Sequence, residues 1–471
     1  MKSSPSALLA ACLCVTPLWL QGAATITILN GDPAGVGFND ATPAAPVGGN
    51  SGTTLGAQRL IAFQAAADKW GATLTSAVPI TVLATWEPLN CDVNSAVLGA
   101  SGALQLFRDL AGAPVGGHWF GQALANKLFG ARLDNTTPDI RSRLNVNLGN
   151  ADCLAGSPFY LGIDNNHGSS VDLVTVLTHE FAHGLGFQTF TNGATGALLA
   201  GFPCIWDDFL LDTSIGKTWT AMTEGERVAS AVNSGHLVWN GANVVSAVPQ
   251  VLAAGAPALR ITAPAAVAGS YPVRTASFGP ALNNPGVAAE VMPVLDTAPN
   301  LGLACSALSS VNKAGVNGKI ALVDDGICGS TEKVKNAQFA GAVGVIVVDN
   351  VAGSPLAGLD GSDPAITIPS VRISTADGAA LKARLANRTR THSGMFAILG
   401  VNSAFRAGAD TSNRILMYAP NPFQFGASIS HFDSSPFPNQ LMEPAINADL
   451  THEVTIPYDL TFQLLRDIGW N

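Results

Sequence analysis

The chain has 471 residues, 47% of them hydrophobic and 12% charged, with a formal net charge of −9. That length allows two or three domains with sizeable cores. An acidic chain without a long basic run argues against nucleic acid or an anionic membrane surface as its partner.

The opening stretch, MKSSPSALLAACLCVTPLWLQGAA, has the layout of a secretory signal: Lys2, an apolar run from Ala7 to Leu20, then the small residues Gly22, Ala23 and Ala24. The run is short for a spanning helix and Pro17 interrupts it. Cleavage after Ala24 and export, extracellular or periplasmic, are expected, with no membrane attachment afterwards. An oxidising destination predicts disulfides among the five cysteines that remain. Cys305 with Cys328 and Cys91 with Cys153 are the expected pairs; Cys204 is either free or takes Cys153 instead.

Thr25 to Leu29 reads as a short strand, and 31–53 as loop. Leu60, Ile61, Phe63, Ala67 and Trp70 recur at helical spacing within Leu55 to Leu74. A strand follows from Ile80 to Trp86, with more near Ala96 to Ala103, Arg143 to Leu148 and Tyr160 to Ile163. Asp164 to Gly168 is a polar turn. Its Asp and Asn side chains offer oxygens for calcium but lack the spacing of a recognised calcium loop, and His167 reads as solvated.

The stretch from Val171 to Phe187, VDLVTVLTHEFAHGLGF, carries His179, Glu180 and His183 as His-Glu-x-x-His. Leu173, Val176, Leu177 and Phe181 give a helical apolar stripe, Asp172 suits the helix start, and Gly184 and Gly186 its end. Residues four apart share a helix face, so both imidazoles can reach one zinc ion, with Glu180 beside them as a base for water. A catalytic zinc site needs three protein ligands and an open position, so a third is required.

Near residue 250 the composition shifts. Lys319 to Val323, Gly344 to Asp349 and Ala365 to Ser374 read as strands, with helices at Thr331 to Ala340 and Asp377 to Leu385. That is a small α/β unit with its own core. Beyond about Gly400 come Ser430-His431-Phe432, then Met442 in LMEP, and a closing helix within Tyr458 to Trp470.

The segments ALVDDGIC, EKVKNAQFAGAVGVIV, IPSVRIS and DGAALKARL closely resemble the protease-associated (PA) domain. The resemblance implies an accessory module, without catalytic residues, that guides substrates or controls access. The helix motif is similar to that of the metzincin zinc proteases. Their compact pattern places a third His six residues after the second, where this chain has Thr189, a poor zinc ligand. The leishmanolysin branch draws its third His from far downstream, in a Ser-His-Trp-like string with a Met-turn methionine after it. Ser430-His431-Phe432 and Met442 resemble that arrangement. The resemblance implies zinc held by His179, His183 and His431, Glu180 as general base and later proton donor, and Met442 as an apolar floor.

The expectation is an α+β fold. After a signal at 1–24, a metzincin-like domain (25–250 and 399–471) is interrupted by a PA domain (251–398). The expected activity is that of a secreted zinc endopeptidase cutting protein or peptide substrates. The departure at Thr189 keeps a rival open, an inactive secreted protein binding metal or protein on the same scaffold. An oxyanion donor is expected from Tyr418 or Tyr458, and the spacing does not choose between them.

Overall fold

The computed structural model describes residues 22–295, 302–351, 358–447 and 449–471. The expected signal, 1–24, lies outside these residues except for Gly22, Ala23 and Ala24. Among the described residues no helix is long and apolar enough to cross a membrane.

The first sheet has four strands: β1 (Ile26–Asn30), β2 (Ile80–Glu87), β3 (Gly99–Ala103) and β4 (Ile140–Asn145), in the order β1-β2-β4-β3. β1, β2 and β4 run parallel, while β3 pairs antiparallel with β4 and forms an edge. In β2 the buried residues are Ile80, Val82, Ala84 and Trp86, the alternation of a half-covered strand. Three helices accompany the sheet: α1 (Leu55–Thr73), α2 (Gln122–Phe129) and α3 (Leu173–Leu185).

α1 buries Ala62, Phe63, Ala66, Ala67 and Trp70; of the expected stripe Phe63, Ala67 and Trp70 face the core, while Leu60 is exposed and Ile61 only half-buried. It is locked to α3 by Trp70, whose indole N–H donates to Thr178 O at 2.9 Å. The eight-residue α2 has no counterpart in the sequence reading; Gly130, at φ 83°, ends it.

The inserted module is built on one eight-stranded sheet. Its strands are β5 (Ala254–Ala263), β6 (Gly269–Pro272), β7 (Arg274–Thr275), β8 (Val287–Pro293), β9 (Ile320–Asp324), β10 (Gly344–Val348), β11 (Ser370–Ile373) and β12 (Phe396–Arg406). The order is β6-β5-β12-β8-β9-β10-β11-β7. β8 to β11 run parallel, and both faces of this part are covered. Ile320, Leu322, Ile346 and Val348 face one core; Ala321, Val323, Val345 and Val347 face another. Two covered faces explain why these strands read as unbroken apolar runs.

The strand expected over Ala365 to Ser374 is confined to Ser370–Ile373. Pro369, just before it, has no N–H to give a ladder. β5, β8 and β12 went unrecognised in the sequence, where Ala, Gly, Pro or Ser among their apolar residues leave no clean alternation. β12 also crosses the expected domain boundary at 398/399. β5 supplies the backbone partners of this strand as far as the register pair Ala254 and Arg406.

After β12 the chain rejoins the first core, which includes Met417, Phe432, Met442, Leu464 and Leu465. The closing helix runs from Thr461 to Ile468. The indole of Trp470 donates to Leu185 O at 2.7 Å, tying this end of the chain to the end of α3. Among the described residues one ion pair joins module and core: Arg274 in β7 donates to Asp433 at 2.7 Å. Asp433 is buried. Removing the arginine alone would leave that carboxylate unpaired, a change that costs about 3–5 kcal/mol.

Cys91 pairs with Cys153 and Cys305 with Cys328, while Cys204 is free and buried. Two disulfides fit an oxidising compartment.

Candidate metal centre

α3 is set by its ends and by one bare position. The Asp172 side chain accepts from Thr175 N–H at 2.7 Å and caps the start. Midway, a Cβ on Gly184 would lie 2.3 Å from Ile140 Cγ2, so only glycine lets the helix lie directly across β4. His179, Glu180 and His183 then project into a cleft of about 1100 Å³.

His431 arrives from the other side of the module, on a loop held by Trp206, whose indole donates to Ile429 O at 3.1 Å. The Nε2 atoms of the three histidines approach one another closely. His179 and His183 are 3.2 Å apart, His183 and His431 3.2 Å, and His431 and His179 3.3 Å. Each Nδ1 faces a backbone carbonyl: Leu441 O at 2.7 Å for His179, Phe187 O at 2.7 Å for His183, and Ala427 O at 2.9 Å for His431. A carbonyl only accepts, so each Nδ1 carries the proton and each Nε2 presents a lone pair.

Burial pushes His179 down to about 4, and burial with the neighbouring His179 pushes His183 down to about 3. His431 is driven well below its ordinary value by the same causes. Three neutral rings therefore aim lone pairs at one point, an arrangement that repels itself unless a cation sits between. Tetrahedral zinc with bonds of about 2.0–2.1 Å sets its nitrogen ligands about 3.3–3.4 Å apart, close to what is seen. The donor set fits the metal. Among the described residues, these three form the group able to hold an ion.

Glu180 is buried, and its Oε2 has no hydrogen-bond partner. Burial pushes its carboxyl up to about 7, with the Ser101 hydroxyl and Arg143 opposing. Its Oε1 passes so close to β3 that a Cβ on Gly99 would lie 2.7 Å away. The sequence reading missed that contact, since nothing local marks Gly99 as facing the helix.

Thr189 is turned to another task. Its hydroxyl donates to Asp207 at 2.9 Å, and its N–H meets Ser430 Oγ at 3.4 Å, which ties the helix exit to the His431 loop. Met442 is fully buried, and its carbonyl accepts from Phe432 N–H at 2.8 Å. The adjoining Leu441, whose carbonyl orients His179, is fixed in turn by buried Asp459. That carboxylate accepts from Leu441 N–H and from Thr461 N–H, each at 2.7 Å. Asp459 is thus a positioning residue that no spacing rule singles out.

The remaining expectations divide. His118 is buried and hydrogen-bonded to Gly116 O, and His167 lines the cleft with its Nδ1 on Ser170 O. Neither joins the cluster. His452 sits against Asp172 at 2.9 Å. Tyr418 donates its hydroxyl to Gln424, and Tyr458 is exposed; neither lines the cleft, so neither is in place as an oxyanion donor.

Comparison with known proteins locates the accessory unit. Residues 287–381 match the family described as PA domain. The chain carries a PA domain. A curated relative from Oryza sativa subsp. japonica, a receptor homology region, transmembrane domain- and RING domain-containing protein 1, is 41% identical over 107 residues. That match covers 23% of this chain and 19% of the relative, so the chain spans about a fifth of that protein's length. Among solved structures, a zinc aminopeptidase from Bacillus subtilis overlaps at TM-score 0.23 and 22% identity, covering 34% of this chain and 36% of its own. An aminopeptidase from Aneurinibacillus sp. strain AM-1 overlaps at 0.23 and 21%, covering 42% of each. The subtilisin-like protease Apa1 of Pseudoalteromonas sp. AS-11 does so at 0.23 and 22%, covering 32% and 34%.

Glu443, which follows Met442, gives the region a pH signature. It lines the cleft, is buried, and accepts from Gln440 N–H at 2.8 Å and Asn447 Nδ2 at 3.0 Å. Burial, aided by Asp433 and Asp449, pushes its carboxyl up to about 8. An unfolded glutamate titrates near 4.3, so between about pH 4.3 and 8 the folded state holds a proton that the unfolded chain has lost. Stability must then fall as pH rises through that window. Glu443→Gln is expected to flatten this decline by an amount on the order of a few kcal/mol, read from urea unfolding at several pH values. An unaltered slope would remove Glu443 as its source.

Proposed function

We propose that the chain is a secreted zinc endopeptidase of the metzincin type, hydrolysing peptide bonds in protein substrates. The observation that carries this reading is the meeting of three unprotonated imidazole nitrogens beside the free carboxylate oxygen of Glu180 in one cleft. His179, His183 and His431 hold the ion through Nε2, and their carbonyl partners fix the tautomer and ring angle. Zinc, when bound, supplies a Lewis acid that polarises a carbonyl and lowers the pKa of water to about 7.

Glu180 then takes the proton of the attacking water at Oε2, the oxygen without a hydrogen-bond partner, and returns it to the leaving amine. Burial raises its proton affinity, which serves the second transfer. Met442, buried in the core beside Leu441, would serve as the apolar floor. The catalytic part comprises the residues before β5 and after β12. Cutting within a chain, rather than at its end, is supported by β3: it is an edge strand, and Gly99, Ala100 and Ser101 line the cleft, so an extended peptide can add to it as a further strand. The PA domain and the two disulfides accord with an exported protease.

The purified protein is expected to hold one zinc ion per chain and to cleave casein. Chelation should stop cleavage, and added zinc should restore it. Undiminished cleavage by metal-free protein would end this reading.

A further inference from the structure

One wall of the cleft carries aromatic rings that hydrolysis itself does not use. Phe425 is 82% exposed, yet it lines the cleft together with Phe190 and Phe423. Phe423 and Phe425 meet edge to face, with centroids 5.2 Å apart and planes at 84°. The open ring of Phe425 and the half-buried rings of Phe423 and Phe190 leave apolar surface in the cleft for a ligand to cover.

The turn presenting Phe425 is tightly bonded. Gln424 N–H donates to Ser428 Oγ at 2.9 Å, and Ser428 N–H donates back to Gln424 O at 2.9 Å. The Tyr418 hydroxyl holds Gln424 from outside at 3.1 Å. Ala427, in the same turn, supplies the carbonyl that orients His431. The exposed ring is therefore registered against the third histidine by a short, braced piece of backbone.

We propose that Phe190, Phe423 and Phe425 form an apolar shelf selecting a bulky apolar side chain on the N-terminal side of the bond cut. This inference rests on the endopeptidase reading. The side follows from the direction of β3. A Cβ on Gly99 would touch Glu180, and one on Gly102 would lie 3.2 Å from Gln188 Oε1. β3 thus runs from the carboxylate toward the exit of α3, where Phe190 lies. Antiparallel pairing is the more stable per residue. A peptide so paired runs the opposite way and brings its N-terminal residues to that exit, onto the shelf.

The test uses zinc-loaded full-length protein and peptides of one sequence carrying Leu or Gly at each position around the scissile bond. Wild type is expected to prefer Leu on the N-terminal side by roughly ten- to hundredfold in kcat/KM. Phe425→Ala should lose most of that preference while its zinc content matches wild type. The same peptides are titrated against Glu180→Gln protein, with and without Phe425→Ala, so that binding reports on the shelf apart from cleavage. Leu-selective binding that Phe425→Ala abolishes, without any cleavage by wild type, keeps the shelf and removes the endopeptidase reading. Cleavage whose Leu preference survives Phe425→Ala, or lies on the C-terminal side, overturns the shelf and leaves that reading standing. Neither cleavage nor selective binding overturns both.

Discussion

Glu180→Gln is expected to keep its zinc and to lose casein cleavage by about 10²–10⁴-fold, the usual contribution of a positioned general base. The amide has nearly the shape of the carboxylate, so the close pass against Gly99 is preserved. What disappears is the carboxylate's basicity, by which a proton is taken and returned. Metal retention follows because the three imidazoles, and not this carboxylate, converge on the site. Zinc analysis beside the cleavage assay separates the two effects. Cleavage at the wild-type rate would refute the role given to Glu180.

His431→Ala should act through the metal instead. Loss of an outer-shell partner alone costs a metal site about 10–100-fold in affinity, so loss of a ligand should cost more. Zinc content and activity are expected to fall together. Stability of the metal-free protein should hold or even rise, because removing one ring relieves the crowding of three lone pairs at 3.2–3.3 Å. The stabilisation that zinc confers should vanish; for wild type it amounts to about 2.7 kcal/mol when free zinc is a hundredfold above Kd. Unfolding with and without zinc reads both effects. Stoichiometric zinc in the variant would mean that the third donor lies elsewhere.

The parts of this site legible in the sequence are those whose geometry is local. Helical periodicity alone puts His179 and His183 on one face, and the α3 stripe, the β2 alternation and the β9 and β10 runs are local for the same reason. His431 was reachable only through a family resemblance, since no spacing rule spans a module. The layer behind the histidines was not legible at all. Carbonyls of Phe187, Ala427 and Leu441 have no residue-type signature, and Asp459 acts through a backbone N–H. A strand half made of Ala and Gly, such as β5, carries little β-propensity, so its pairing is decided by its partners rather than by itself.

The register pair Ala254 and Arg406 means that the module leaves and rejoins the rest of the chain through a single doorway. His183 and His431 stand 248 positions apart, but a module folded on its own short-circuits most of that path. Closure entropy grows only with the logarithm of length, so a detour of this kind costs the metal cage about 1 kcal/mol or less. A zinc site can therefore tolerate an entire domain threaded between two of its donors, and early folding of that domain would hasten, not hinder, their encounter.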